Sequence, residues 1–156
     1  NLVERELIRM RIGITNDHRG LKNKILLEKF LTNIGYEVID YGTKTDLPVD
    51  FPDYAFKLGN GIKNGEVDLG IAICGTGIGM SIALNKVKGI YCAKVSNVSE
   101  AILSKSHNDA NVIALSEDIE GDNLKEIIVS FIDTPFSNIN KYIVRNNKIK
   151  DMENNG

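Results

Sequence analysis

Short apolar runs alternate along this chain with segments of helical periodicity, and that alternation limits the fold more than any other feature. Residues 11–16 read as a strand closed by Asp17-His18-Arg19-Gly20. Leu21, Ile25, Leu27, Phe30, Leu31 and Ile34 then recur at helical spacing up to Gly35, which suits the position after a helix end. Residues 37–41 predict a second strand, followed by a loop with Gly42, Pro48 and Pro52 and a helix over about 53–64. Residues 67–74 form the most apolar strand, as the buried centre of a parallel sheet requires. Gly75-Thr76-Gly77-Ile78-Gly79 leads from it into a short helix through Lys86. A strand over 90–95, a helix over 98–106, a strand over 112–115 and helices over 124–132 and 137–148 complete the series. This order predicts a three-layer α/β/α, Rossmann-like, doubly wound sheet of about five parallel strands with a C-terminal helix.

Length and charge narrow the function. With 156 residues the chain suits one domain, expected over 10–150, and residues 1–9 ahead of Met10 read as an extension or expression remnant. The last six residues are polar and expected to fray. A net charge of −2 offers no global attraction to nucleic acid or to a membrane surface. A phosphorylated ligand would need local cations and backbone N–H groups. Two cysteines without framework spacing, no signal-like segment and no long apolar run predict a reducing, cytoplasmic setting.

Ligands of such sheets sit beyond the carboxyl ends of the strands. Three polar clusters are expected at that edge. They are Asp17-His18, residues 74–79, and His107-Asn108-Asp109, the last reaching it from the end of a helix. The alternate glycines after Cys74 admit either an anion-cradling loop or a plain tight turn. They lack the G-x-G-x-x-G spacing and follow the third strand, which argues against a nucleotide-binding oxidoreductase. Cys74 ends a buried strand ahead of a helix, where the positive end of the helix dipole favours a thiolate. A small core hydrophobe is the ordinary role of a free cysteine, and the role expected of Cys92. Read alone, His18 and His107 fit surface or capping positions. No C-x-x-C or H-x-x-x-H spacing joins them, so no metal site is expected.

Several blocks, taken together and in order, closely resemble ribose-5-phosphate isomerase B and its galactose-6-phosphate isomerase relatives across residues 10–145. They are Asp17-His18-x-Gly20, Asp50-Phe51-Pro52-Asp53-Tyr54, the run from Ile73-Cys74-Gly75-Thr76 to Ser81-Ile82-Ala83, Asn85-Lys86, and His107-Asn108-Asp109-Ala110-Asn111-Val112. The resemblance implies an aldose–ketose isomerase of the pentose phosphate pathway that needs no metal or organic cofactor. It also implies a homodimer or homotetramer with active sites at the subunit interface. It assigns Cys74 as the base that moves the carbon-bound proton. The N–H groups of Gly75, Gly77, Ile78 and Gly79, with the Thr76 hydroxyl, are then expected to hold the enediolate oxygen. His107 is implied as the ring-opening acid, Asp17 and His18 as ligands of sugar hydroxyls, and Asn108 and Ser81 as substrate contacts. Lys141 and Arg145 are implied as the phosphate cations.

Two positions depart from that pattern. Lys141 replaces an arginine and loses its bidentate fork, and Asp118 stands where the family carries a further arginine. Arg19 is either a replacement cation for phosphate or an exposed first-turn arginine. Three readings follow: ribose 5-phosphate isomerase, isomerase of another aldose phosphate such as allose or galactose 6-phosphate, or a phosphosugar-binding protein without turnover. Asp118 favours the last, and intact Cys74, Thr76 and His107 oppose it.

Overall fold

A computed structural model of the chain describes residues 10–156, so the extension expected at 1–9 lies outside the described residues. The elements run β1 (Arg11–Asn16), α1 (Leu21–Asn33), β2 (Glu37–Asp40), α2 (Phe51–Lys63), β3 (Leu69–Cys74) and α3 (Ile78–Leu84). They continue with β4 (Cys92–Lys94), α4 (Val98–Ser106), β5 (Val112–Ser116), α5 (Gly121–Asp133) and α6 (Asn140–Asn155). The five strands form one sheet in the order β2-β1-β3-β5-β4, and every pairing is parallel. The doubly wound sheet expected from the alternation is the one observed. No helix among the described residues is long and apolar enough to cross a membrane.

Central position explains the composition of β3, all six of whose residues are buried. Its side chains alternate between the two faces. Leu69, Ile71 and Ile73 join Ile12, Ile14, Ile113 and Leu115 beneath Leu27 and Leu31 of α1 and Leu124, Ile127 and Phe131 of α5. Ala72 and Cys74 join Val112 and Ala114 on the opposite face, against Ala55 and Leu58 of α2 and Met80 and Leu84 of α3. That second face is lined with small residues, and α2 lies close to it. A Cβ on Gly13 would stand 2.6 Å from Leu58 Cδ1. The same alternation aims Cys74 toward α3.

The sheet's outer edge at β4 is closed by a side chain. Asn85 donates to the Cys92 carbonyl at 2.9 Å and accepts from the Cys92 N–H at 2.7 Å, occupying polar groups that would otherwise invite another strand.

Three expectations need correction. Ile25 and Ile34 do not join the core: they are 58% and 51% exposed, while Asn23 and Lys24 are buried. Those two polar residues face inward because they hold neighbouring turns, as described below. The last helix starts at Asn140 rather than 137, after Asn138 takes a left-handed conformation (φ 56°). It then runs through residues expected to fray, up to Asn155. Glu153 is the reason. Its carboxylate accepts from the Gly89 N–H at 2.9 Å and the Tyr91 hydroxyl at 2.7 Å, pinning α6 to the turn before β4.

Those two donors hold the Glu153 carboxyl below its ordinary value of 4.5. Burial, and then Glu153, push the Tyr91 hydroxyl up to about 12. A carboxyl with a depressed folded-state pKa contributes stability that is present above its unfolded value and lost as pH falls through its folded one. Docking of α6 should therefore weaken as pH drops below 4.5. Glu153→Ala should reproduce that loosening at neutral pH, read as faster amide exchange at Gly89 with the core still protected.

Candidate active site

The carboxyl ends of β1, β3 and β5 lie side by side, and their turns build one edge of the molecule. The Asp17 N–H donates to the Ile73 carbonyl at 3.2 Å, tying the end of β1 to β3. Asp17 is buried, and its Oδ1 caps the single 3-10 turn of His18–Gly20 by accepting from the N–H groups of Arg19 (2.9 Å) and Gly20 (3.3 Å). His18 Nδ1 accepts from the Val49 N–H at 3.1 Å, which leaves Nε2 as the ring's donor and ties the loop after β2 to the site.

Cys74 ends β3 with 5% of its surface exposed, and the Gly77 N–H donates to its Sγ at 3.2 Å. Gly77 has φ +81°, and a Cβ there would meet the Leu115 carbonyl carbon at 3.0 Å, so glycine is required on both counts. Thr76 is exposed, and its hydroxyl oxygen accepts from the Ile78 N–H at 3.1 Å. The turn after β5 supports this loop from the side. Ser116 Oγ donates to the Gly75 carbonyl at 2.8 Å, and the Glu117 N–H donates to the Cys74 carbonyl at 2.9 Å. The helix after the loop has only seven residues. A direct N–H···S bond, rather than the summed dipole of a long helix, is therefore the polar contact that this turn makes to the sulfur.

Ser81 is tied to this loop through its backbone, its N–H donating to the Gly77 carbonyl at 3.1 Å. The Cys92 thiol, on the neighbouring edge strand, is pushed up to about 12, mainly by burial.

The convergence of three polar clusters at one edge does not occur within one chain. A helix that connects parallel strands runs back against them, so its C-terminal end reaches the edge where strands begin. His107 caps the end of α4 and leads into the start of β5, where Asn111 and Val112 bond to Tyr91 just ahead of β4. The length of β5, roughly 13 Å at about 3.3 Å per residue, lies between that turn and the cysteine loop. The His107 ring stacks on Tyr142 of α6 with centroids 4.1 Å apart and planes 17° from parallel. Asn146 joins the cluster by donating to the His107 carbonyl at 2.8 Å and accepting from Asn108 at 3.1 Å. Lys141 places its ammonium 5.0 Å from the Tyr142 ring centroid, and Arg145 is exposed one turn on. A cavity of about 580 Å³ opens between α6 and this edge, lined by Asn108, Asn111, Phe136, Asn146 and Lys150.

Arg19 does not stand ready for phosphate. It forms a two-point ion pair with Glu117, with Nε 2.9 Å from Oε2 and Nη2 on Oε1. Asp118, next to it, is exposed. Among the described residues, no group of three or more His, Cys, Asp or Glu is placed to hold a metal ion. Sequence reasoning missed Glu117, Tyr142, Asn146 and Asn23, which donates to the carbonyls of Glu117 (3.1 Å) and Ile119 (2.9 Å). It also missed Lys24, whose Nζ reaches Asp40 Oδ2 at 2.7 Å and the Thr43 carbonyl at 3.1 Å beneath the loop that holds His18. The one available signal was polar residues at helix positions that face the sheet.

A profile of the ribose/galactose isomerase family matches residues 12–149. The chain belongs to that family. It is 42% identical to ribose-5-phosphate isomerase B of Escherichia coli over 119 residues, which cover 76% of this chain and 80% of that protein. Its fold matches a solved ribose-5-phosphate isomerase B of Clostridium thermocellum with a TM-score of 0.90 and 43% identity, over 94% of this chain and 99% of that one. The Mycoplasma genitalium ribose-5-phosphate isomerase B, solved with bound ribulose 5-phosphate, matches with a TM-score of 0.86 and 36% identity, over 94% and 97% of the two chains.

Within this isomerase fold the glycines of the loop are not equivalent. Gly77→Ala should lose about 1–3 kcal/mol to backbone strain alone, and more through contact with the Leu115 backbone. At Gly75 a Cβ would have only Arg19 Cγ near it, at 3.9 Å, so Gly75→Ala should leave the thermal midpoint unchanged. Thermal unfolding of the two variants checks the difference.

Proposed function

We propose that the chain interconverts ribose 5-phosphate and ribulose 5-phosphate, with Cys74 as the base, in a site completed by a second copy of the chain. The observation that carries this reading is the Gly77 N–H on Cys74 Sγ, inside a glycine turn whose further N–H groups can receive an oxyanion. His107 donates a proton to the ring oxygen as the C1–O bond opens, and the C1 hydroxyl gives up its proton as the aldehyde forms. The Cys74 thiolate then takes the proton from C2, leaving a cis-enediolate held by the 75–79 turn and the Thr76 hydroxyl. Return of that proton to C1, with the O1 and O2 protons rearranged, gives the ketose. Asp17 and His18 hold sugar hydroxyls, Asn108 contacts the sugar, and Arg145 with Lys141 holds the phosphate.

Placement of the residues supports a shared site. His107, Asn108, Lys141 and Arg145 lie together at the opposite edge from Cys74, so one copy can deliver acid and phosphate cations as a unit to the other's base. An apolar face beside the cysteine loop supports the same arrangement. Ile78 and Ile82, one helical turn apart on α3, are 52% and 60% exposed, next to the 37%-exposed Phe51. A homodimer, or a tetramer built from it, covers that face. A cytoplasmic setting fits the chemistry, since both cysteines are unpaired and the reaction needs an unoxidised thiolate.

Cys74→Ala should lower the isomerisation rate by about 10²–10⁴, measured in a coupled assay, with the fold retained. A mixture of Cys74→Ala and His107→Asn, unfolded and refolded together, should recover about one quarter of wild-type activity, because random pairing leaves one intact site in each mixed dimer. No recovery would place both residues in one chain's site and defeat the shared arrangement. Arg145→Ala should raise KM by an amount matching a lost charge-assisted hydrogen bond, about 1.5–3 kcal/mol, and weaken inorganic phosphate binding alike. A panel of hexose 6-phosphates in the same assay separates this reading from isomerisation of another aldose phosphate, such as allose or galactose 6-phosphate.

A further inference from the structure

The Arg19–Glu117 ion pair has no part in the steps above, yet it joins two turns that are not neighbours. β1 and β5 flank β3 in the sheet, so a link between their turns has to cross the cysteine turn. It does so closely: the Arg19 Cγ lies 3.9 Å from where a Gly75 Cβ would stand. Both ends are anchored. The Arg19 N–H is held by Asp17 at 2.9 Å, and the Glu117 N–H is bonded to the Cys74 carbonyl at 2.9 Å. The Glu117 carbonyl accepts from the buried Asn23 at 3.1 Å, and Ser116 beneath it donates to the Gly75 carbonyl. The side chains are 58% and 24% exposed, and ion pairs so placed add little to global stability. Their two-point geometry instead fixes direction.

Resting on the isomerase reading, we infer that Arg19 and Glu117 are positioning residues whose ion pair straps the Cys74–Gly75 turn and sets the orientation of the sulfur toward the carbon-bound proton. The guanidinium fork is filled by Glu117, so Arg19 acts on geometry rather than as a phosphate ligand. A base misplaced by about 1 Å can cost on the order of 10²-fold in rate while substrate binding is kept.

The test uses the full chain as wild type, Arg19→Gln, Glu117→Gln and the exchanged double variant Arg19→Glu/Glu117→Arg. The readouts are kcat and KM for ribose 5-phosphate, substrate-free alkylation of Cys74 by iodoacetamide followed by peptide mass, and the thermal midpoint. Each single variant should lose about 10–10²-fold in kcat with KM near wild type, by loss of orientation. Cys74 should alkylate at a changed rate in both, with the thermal midpoint unmoved. The exchanged pair should recover part of kcat and the wild-type alkylation rate. Unchanged kcat in both single variants, or an exchanged pair no better than either, overturns the inference. A raised KM in Arg19→Gln with a lowered KM in Glu117→Gln also overturns it, since Arg19 would then be a phosphate ligand and Glu117 its competitor. If the wild type isomerises no sugar phosphate, the isomerase reading fails instead, and the alkylation comparison still decides whether the strap holds the turn.

Discussion

Strand polarity governs the rest of this molecule. With all five strands parallel, every connection must return to the starting edge, so strand ends gather at one side and helix ends at the other. Asp17, His18 and Cys74 follow strands and share the first side. His107 and Asn108 follow a helix and share the second with Lys141 and Arg145, which α6 carries there through Tyr142 and Asn146. Connectivity alone therefore keeps the two sets of side chains apart within one chain.

On the cysteine side, packing density sets the geometry. Gly13, Gly70 and Ala72 keep one face of the sheet shallow, so α2 and the short α3 lie close against it. Cys74 points into that gap, and beyond it the chain turns through the left-handed Gly77, pressed on the Leu115 backbone. The Gly77 N–H reaches the sulfur as a result of that turn. A helix of seven residues adds little field of its own. The Gly77 N–H, rather than a long helix, is the polar group that meets the sulfur.

Buried polar side chains hold the turns that carry the site. Lys24 with Asp40 and Thr43 stays beneath the loop that supplies Val49 to His18. Asn23 fastens the turn after β5, and Glu153 fastens the last helix. Each satisfies backbone groups that loops expose and that burial would otherwise leave unpaired. Their cost in the sequence is a weakened hydrophobic pattern, which is why α1 reads with two isoleucines too many in its core face.

The alternation of apolar runs and helical segments was enough to determine the sheet, its parallel strands and the glycine turn behind Cys74, because periodicity and glycine act over a few residues. The motif blocks were enough for the family. Which edge receives His107 and which carboxylate receives Arg19 were decided by the tertiary structure alone. Those outcomes depend on helix direction and on pairs of residues up to 98 positions apart, as in Arg19 and Glu117. Spacing along the chain does not encode such meetings; the crossing of parallel strands by their returning helices does.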